Sequence, residues 1–155
     1  MLDIEGIKKH LGYLASSDWD NYKAAFADNV VYEELATRSR VVGADEYLKV
    51  VQRWKKAFPD LKAIVKGSVL SGDKAILELE WEGTHGGPLD SPFGTLAASN
   101  KKGRVAAVLV MTLKNDKIVE SRHFFDLMSL LSQIGAIPGI GVAPPVKPVA
   151  APKPA

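Results

Sequence analysis

The residue best placed for acid–base chemistry in this sequence is Asp126. It follows two aromatic residues, Phe124 and Phe125, which end a run rich in β-forming residues. Apolar residues then recur with the spacing of an amphipathic helix, at Leu127, Leu130, Leu131 and Ile134. A carboxylate enclosed by such side chains could take a proton from a carbon beside a carbonyl group. The other interpretation is that Asp126 is the N-cap of the helix, a role that aspartate favours. The sequence leaves both interpretations open.

His85 is the second candidate for acid–base chemistry. On a predicted strand over residues 74–85 it has the same parity as Leu79 and Trp81, so its side chain should face the core. There it could bind a substrate oxygen or act together with Asp126. The alternative is a structural histidine, hydrogen-bonded at the rim of the core.

Aromatic and charged side chains near these residues are candidates for the wall of a substrate pocket, although aromatic stripes more often form a core. On the last predicted strand, Arg122 and His123 lie on opposite faces, and Arg122 shares its face with Asp126 if the strand is regular. A surface ion pair between Arg122 and Glu120 is the alternative for that residue. The residues that we expect to line the pocket are Trp19, Tyr22, Tyr32, Trp54, Trp81, Arg122 and Phe124.

Motifs for other chemistries are missing from the sequence. The three histidines, at positions 10, 85 and 123, do not have the spacing of metal ligands. The glycines between positions 135 and 141 lack the lysine of a phosphate-binding loop, and no Gly-x-Ser-x-Gly element occurs. We therefore expect a protein that works without a metal or a cofactor.

The elements that must position these residues fall into two blocks. Helical periodicity dominates the first block and includes a stripe formed by Tyr47, Val51 and Trp54. Strands dominate the second block, where residues 74–85 alternate strictly between two faces. We predict an α+β fold in which a curved antiparallel sheet wraps the N-terminal helices in a cone with a central apolar pocket.

Composition is typical of a globular protein with one domain. The chain has 155 residues, of which 46% are hydrophobic and 25% charged, and its net charge of +2 gives no basis for nucleic-acid binding. It contains no cysteine, no secretory signal and no apolar run long enough to span a membrane. We expect a cytoplasmic protein that does not bind membranes.

The C-terminal segment differs in composition from the rest. Residues 137–155 hold six of the nine prolines, with alanine, valine and lysine between them and no periodicity. We expect a folded domain over residues 1–136 and a disordered or polyproline-like tail over residues 137–155.

Several short segments together carry a family resemblance over about residues 3–136. They are Ala57-Phe58-Pro59-Asp60-Leu61, Ser71-Gly72-Asp73, Trp81-x-Gly83-Thr84-His85-x-Gly87, Asn115-Asp116-Lys117-Ile118-Val119-Glu120, and Phe125-Asp126 with Leu130-Leu131-x-Gln133-Ile134-Gly135. In their order and spacing the sequence resembles the SnoaL-like polyketide cyclases of the nuclear-transport-factor-like superfamily.

The resemblance implies a deep apolar pocket between sheet and helices, often in a homodimer. It implies that Asp126 is the acid–base residue of a cofactor-free aldol closure and that His85 lies in the pocket. The long loop over residues 86–100 and the first strand, with Tyr32-Glu33-Glu34 where the family often has a histidine, depart from the pattern. The substrate therefore cannot be carried over.

The expected function is a cofactor-independent cyclase or isomerase acting on a hydrophobic, polyketide-like carbonyl substrate by acid/base proton transfer. The first alternative is a non-catalytic module of the same fold that binds a small molecule or mediates dimerisation. A further alternative, epoxide hydrolysis, needs a cluster of two acids and an arginine, for which Asp126 and Arg122 are the obvious pair.

Overall fold

The computed structural model describes residues 2–91 and 94–137. Its helices are α1 (Ile4–Ala15), α2 (Trp19–Ala24), α3 (Ala44–Ala57) and α4 (Leu127–Gln133). Its strands are β1 (Phe26–Glu34), β2 (Ser39–Val42), β3 (Lys62–Ser71), β4 (Lys74–Thr84), β5 (Leu89–Ser91), β6 (Gly94–Leu96), β7 (Lys102–Lys114) and β8 (Lys117–Phe125). In the described part of the chain, no helix combines the length and the apolar character needed to cross a membrane. From position 138 onward the predicted tail lies outside the described residues.

Six strands form one curved sheet in the order β2-β1-β8-β7-β4-β3. The pair β1–β8 is parallel and the other neighbouring pairs are antiparallel. The helices pack on the sheet, so the predicted α+β architecture is confirmed. The expected loop over residues 86–100 instead contains a short hairpin, because β5 and β6 pair with each other outside the main sheet.

The two long helices begin where local chemistry favours a helix start. The Asp3 carboxylate caps α1 by accepting a hydrogen bond of 2.9 Å from the Gly6 N–H. Helix α3 begins after Gly43, whose φ of 108° lies in the left-handed region that favours glycine. Acidic residues in the first turn of α3 and basic residues in its last turn complement the helix dipole: Asp45, Glu46, Lys55 and Lys56.

Alternation along β4 separates the core from the outer face of the sheet. Leu77 and Leu79 are buried on the inner face. Glu82 points outward and forms an ion pair of 2.6 Å with Arg104 on β7. Apolar residues of α1 and α3 pack against the inner face and complete the core.

Strand β8 is regular over the residues that matter for the candidate site, because its register shift relative to β7 lies earlier in the strand. Ser121 and His123 are therefore buried on the inner face, together with the half-buried Phe125. Arg122 and Phe124 lie on the outer face. A register shift of one residue here would have turned Arg122 and Phe124 toward the core and Ser121 and His123 toward the outer face.

Candidate active site

An apolar cavity of about 70 Å³, the inner cavity, lies between the inner face of the sheet and the helices. Helices α1 and α3 contribute Leu11, Leu14 and Val51 to its wall, and β7 contributes Leu109 and Met111. An apolar wall with a few well-placed polar groups is the usual composition of a small-molecule site. The chemistry of this cavity therefore depends on its few polar side chains.

His123 is the basic side chain on this wall, and both of its ring nitrogens have partners. The Trp81 indole Nε1 donates to Nε2 of His123 at 2.8 Å. The Tyr32 hydroxyl lies 3.0 Å from Nδ1. Because an indole nitrogen can only donate, Nε2 carries the lone pair and Nδ1 carries the proton. His123 is therefore neutral in this arrangement.

A buried carboxylate, Glu34, lies behind His123 and is only 2% exposed. Its Oε2 accepts hydrogen bonds from Tyr32 at 2.7 Å and Trp54 at 3.0 Å, and its Oε1 accepts one from Thr37 at 2.7 Å. Burial alone would raise the pKa of this carboxyl group, but the interaction with His123 and the hydrogen bonds from Tyr32 and Thr37 outweigh burial and hold the pKa below its ordinary value. Glu34 is therefore ionised at neutral pH.

Sheet pairing brings Glu34 and His123 together. The two residues are direct neighbours in the parallel pair β1–β8, and Oε2 of Glu34 lies 3.8 Å from Nδ1 of His123. Tyr32 precedes Glu34 by two positions and so faces the same side of the sheet. We call Tyr32, Glu34, Trp54, Trp81 and His123 the polar cluster.

Tyrosine hydroxyls form a second set of polar atoms on the cavity wall. The Tyr47 hydroxyl donates to Oγ of Ser121 at 3.1 Å and also interacts with the Tyr22 hydroxyl. Burial raises the pKa of Tyr22, Tyr32 and Tyr47 well above the ordinary value of a phenol. These phenols are therefore neutral hydrogen-bonding groups and not bases at neutral pH.

A second depression, the surface cleft, opens on the other side of Glu34 and has a volume of about 330 Å³. Glu34, Thr37 and Trp54 lie on its wall, together with Arg53 and Lys56 of α3. Trp54 also lines the inner cavity. Glu34 thus lies between His123 and the surface cleft.

The residues that the structure describes include no group of three histidine, aspartate or glutamate side chains arranged to hold a metal ion. The polar cluster supplies one imidazole and one carboxylate. The Tyr32 hydroxyl lies between the imidazole of His123 and the carboxylate of Glu34 and forms a hydrogen bond with each. The lone pairs of these two groups are therefore not directed at a shared metal position.

Both the sequence and the fold of the chain resemble those of known proteins. The sequence model of the SnoaL-like polyketide cyclases matches residues 9–134. The chain belongs to this family. No curated protein matches the sequence significantly.

Several solved structures of other proteins share this fold. A proposed SnoaL-like polyketide cyclase from Jannaschia sp. CCS1 is 20% identical, with a TM-score of 0.71 over 84% of this chain and 92% of that chain. IdmH, a proposed polyketide cyclase from Streptomyces antibioticus, is also 20% identical, with a TM-score of 0.71 over 83% and 95% of the two chains. A protein of ketosteroid isomerase-like fold from Catenulispora acidiphila, in complex with trimethylamine, is 15% identical, with a TM-score of 0.70 over 83% and 91%. These likenesses show a shared cone-shaped fold.

Asp126, to which the SnoaL-like resemblance gives the acid–base role, does not line the inner cavity. It is exposed, and its carboxylate accepts a hydrogen bond of 3.0 Å from the Ser129 N–H as the N-cap of α4. Because β8 stays regular to its end, Asp126 continues the outward parity of Phe124. The expectation that this carboxylate faces the pocket is thereby corrected, while a catalytic role for it stays an untested prediction.

His85 is 1% exposed but lies outside the wall of the inner cavity. The Phe58 ring, which lines the cavity, packs against it with centroids 5.4 Å apart. Nδ1 of His85 accepts from the Ser99 N–H at 3.2 Å and lies 3.0 Å from the Ser99 hydroxyl. Burial lowers the pKa of His85, so its ring is neutral at neutral pH. This geometry corresponds to the structural alternative.

Most but not all of the aromatic residues expected in the pocket from the helices and from β1 and β4 line the inner cavity. Four of them line the inner cavity: Tyr22, Tyr32, Trp54 and Trp81. Trp19 does not line the cavity; its ring packs nearly perpendicular to the ring of Tyr22, with centroids 6.1 Å apart.

The expectation that Arg122 and Phe124 line the pocket is corrected as well. Both point away from the inner cavity because they occupy even positions on β8, and the Arg122 guanidinium lies 5.2 Å from the centre of the Phe124 ring. Nη2 of Arg122 approaches Glu33 at 4.0 Å. The pair formed by Arg122 and Asp126 therefore cannot act on an epoxide in this cavity.

Sequence reasoning missed the two central residues of the polar cluster, His123 and Glu34. Their parity was a usable signal, since His123 shares a face with Phe125 and Glu34 shares a face with Tyr32. Parity alone does not reveal that β1 pairs with β8, and that pairing is what joins the two side chains.

Proposed function

We propose that this protein is a cofactor-independent cyclase or isomerase that acts on a hydrophobic carbonyl compound by proton transfer. The observation that carries the proposal is a neutral imidazole, His123, on an otherwise apolar wall, with its Nε2 lone pair held by the Trp81 N–H. Membership of the SnoaL-like polyketide cyclase family supports the same class of reaction. We assign the proton transfer to His123.

A carbonyl substrate in the inner cavity would replace the hydrogen bond between Trp81 and His123. Nε2 would then face an acidic C–H beside the carbonyl group, and the indole N–H would be free to donate to the carbonyl oxygen. A base and a donor that lie 2.8 Å apart are positioned to act on neighbouring atoms of one substrate.

The reaction begins when Nε2 takes a proton from this carbon, leaving the electron pair as an enolate. In a cyclase, the enolate carbon attacks a second carbonyl group of the same molecule and forms a carbon–carbon bond. The resulting alkoxide takes the proton back from Nε2. In an isomerase, the proton returns instead to a different carbon. Both routes restore His123 and require no change of oxidation state.

The surroundings of His123 favour its role as a base. When both ring nitrogens carry protons, the Glu34 carboxylate at 3.8 Å from Nδ1 stabilises the cation. The Tyr32 hydroxyl and the Trp81 indole hold the ring in one orientation. A positioned base of this kind typically contributes roughly 10²–10⁴-fold to a rate.

The proposal is tested by exchange of α-protons in D₂O on 2-tetralone, a hydrophobic ketone, followed by NMR. The wild-type protein should catalyse exchange, and His123→Gln should lower the rate roughly 10²–10⁴-fold, because the base is lost. His85→Gln is the matched control, since it removes a buried histidine outside the inner cavity, and it should keep the wild-type rate. Thermal unfolding of each variant checks that the fold is retained.

Two outcomes would contradict the assignment. Exchange at the wild-type rate in His123→Gln would remove His123 from the reaction. A wild-type protein that binds 2-tetralone and related ketones but exchanges none of them would favour the non-catalytic alternative.

That alternative, a small-molecule-binding module, is favoured by one observation. Both ring nitrogens of His123 already have hydrogen-bond partners, Nε2 in the Trp81 N–H and Nδ1 in the Tyr32 hydroxyl, as in a pocket that only encloses an apolar ligand. Native mass spectrometry of the purified protein distinguishes the two functions. A bound compound that is returned unchanged after incubation supports binding, whereas its conversion supports the enzyme.

We further propose a homodimer formed through the outer face of the sheet. Apolar side chains are exposed on this face, among them Val69, Ile76 and Phe124. Light scattering coupled to size exclusion should give twice the chain mass. Phe124→Lys should shift the protein toward the monomer, and a wild-type monomer at high concentration would contradict the proposal.

A further inference from the structure

A continuous line of hydrogen bonds runs from the inner cavity toward the surface. Nδ1 of His123 lies 3.0 Å from the Tyr32 hydroxyl. This hydroxyl lies 2.7 Å from Oε2 of Glu34. On the far side of the carboxyl group, Oε1 lies 2.7 Å from the Thr37 hydroxyl. Every link is within ordinary hydrogen-bond distance.

The two ends of this line lie in different environments. His123 and Tyr32 line the inner cavity, whose wall is otherwise apolar. Glu34 and Thr37 line the surface cleft, and Thr37 is only half-buried. The line therefore connects the inner cavity with the surface cleft.

We propose that Tyr32 and Glu34 form a proton relay between His123 and the surface cleft. This inference rests on the proposed function, because it gives the proton taken up by His123 a second destination. A proton removed from a substrate could then reach the surface cleft through side chains alone. Glu34 would be a relay and positioning residue, since it does not line the inner cavity.

The protons can move along this line in one concerted step. Nε2 of His123 takes the substrate proton while Nδ1 gives its own proton to the Tyr32 oxygen. The Tyr32 hydroxyl passes its original proton to Oε2 of Glu34. The imidazole ends neutral with its proton on Nε2, the phenol is unchanged, and Glu34 becomes a neutral carboxylic acid that can release its proton into the surface cleft.

The other hydrogen-bonding side chains near His123 cannot relay a proton to the surface cleft. The indoles of Trp54 and Trp81 are donors without an acceptor lone pair, so they cannot receive a proton before giving one. The Tyr47 hydroxyl donates to Ser121, which is fully buried, and Ser121 does not lie on the surface cleft. Tyr47 is therefore a matched control for Tyr32.

The relay is tested on the protein alone by measuring hydrogen exchange at the His123 ring. The chain has only three histidines, so their ring N–H signals can be assigned by ¹⁵N NMR with variants at positions 10 and 85. We expect the His123 proton on Nδ1. Its exchange with D₂O should slow on the order of tenfold in Tyr32→Phe, because the variant lacks the hydroxyl that would pass the proton from His123 to Glu34. The size of the effect is that expected for loss of one charge-assisted hydrogen bond.

Further variants distinguish a proton-relay role of Tyr32 from a purely structural role. Tyr47→Phe also removes a buried hydroxyl from the cavity wall and should leave the exchange rate unchanged. Thr37→Val and Glu34→Gln interrupt the line at its outer end and should slow exchange as Tyr32→Phe does. A merely structural role for Tyr32 predicts the opposite sign, because looser packing lets water reach the ring and speeds exchange.

Unchanged or faster exchange in both Tyr32→Phe and Thr37→Val would overturn the relay. This result would leave the proposed function intact, because proton abstraction by Nε2 needs no outlet. Conversely, a functioning relay in a protein without α-proton exchange on 2-tetralone would refute the proposed function alone. If Tyr32→Phe fails to fold, Thr37→Val decides the question.

Discussion

The indole nitrogen of Trp81 donates a hydrogen bond of 2.8 Å to Nε2 of His123. The two residues lie on β4 and β8, which are separated by β7, so the bond spans the inner face of the sheet. It fixes the tautomer of the imidazole and occupies its basic lone pair. In the proposed reaction the same two atoms become the base and the oxyanion donor.

Replacing Trp81 by phenylalanine keeps an aromatic ring on the cavity wall and removes this donor. We expect the rate of α-proton exchange on 2-tetralone to fall roughly 10²–10³-fold, the usual effect of losing one oxyanion donor. Loss of the hydrogen bond should also lower the free energy of unfolding by about 1 kcal/mol. Exchange faster than wild type would mean that the indole only blocks the base and does not serve the reaction.

The N-cap position of Asp126 predicts different effects for two substitutions. Asp126→Ala removes the acceptor of the Ser129 N–H and should lower the free energy of unfolding by about 1 kcal/mol. Asp126→Asn keeps a capping oxygen and should change it by only a few tenths of a kcal/mol. Both can be measured by urea unfolding. Because the carboxylate lies outside the inner cavity, we expect α-proton exchange in Asp126→Asn to match wild type, and its abolition would restore Asp126 as the acid–base residue.

Local periodicity was sufficient to predict much of the fold. The alternation along β4 correctly separates Leu77 and Leu79 from the outward Glu82, and the apolar stripe of α3 correctly places Tyr47 and Val51 toward the core. These features could be predicted because side-chain direction in a strand or helix follows from position alone.

The candidate site could not be derived in the same way, because it depends on pairing between distant segments. The parity of His123 indicated an inward side chain, but its partners come from the distant strands β1 and β4. Asp126 stood out because apolar residues surround it in sequence, whereas in space it lies at the exposed end of a strand. Burial of a polar residue is decided by the register of the whole sheet, which neighbouring residues do not reveal.

Two glycines should respond in opposite ways to alanine. A Cβ on Gly87 would lie 2.2 Å from the carbonyl oxygen of Lys56, a backbone atom that cannot move aside easily, so Gly87→Ala should destabilise the protein by about 2–3 kcal/mol. Gly12 is exposed within α1 and has open space around it, so Gly12→Ala should stabilise the protein by up to about 1 kcal/mol. Urea unfolding measures the change in the free energy of unfolding for each variant. Equal changes in the two variants would contradict the close approach of Lys56 to Gly87.

His10 is a third buried histidine and has no role in the proposed reaction. It is 2% exposed and stacks on Tyr22, with ring centroids 4.1 Å apart, while Phe26 meets it edge-on at 5.2 Å. Among the described residues, neither ring nitrogen has a hydrogen-bond partner. Burial lowers the pKa of His10 to about 4, an effect that the Tyr22 backbone partly opposes.

This burial should make the protein less stable in mild acid. As pH falls below 6.5, the unfolded chain binds a proton at His10 that the folded chain does not bind until about pH 4, so the free energy of unfolding decreases across this window. With 1.36 kcal/mol for each pH unit, the loss attributable to His10 reaches about 3 kcal/mol near pH 4. His10→Phe keeps the stacking on Tyr22 and removes the titrating group. Urea unfolding at pH 7.5 and 4.5 should therefore show a smaller loss of stability for the variant than for wild type, and equal losses would show that His10 is not buried as a neutral ring.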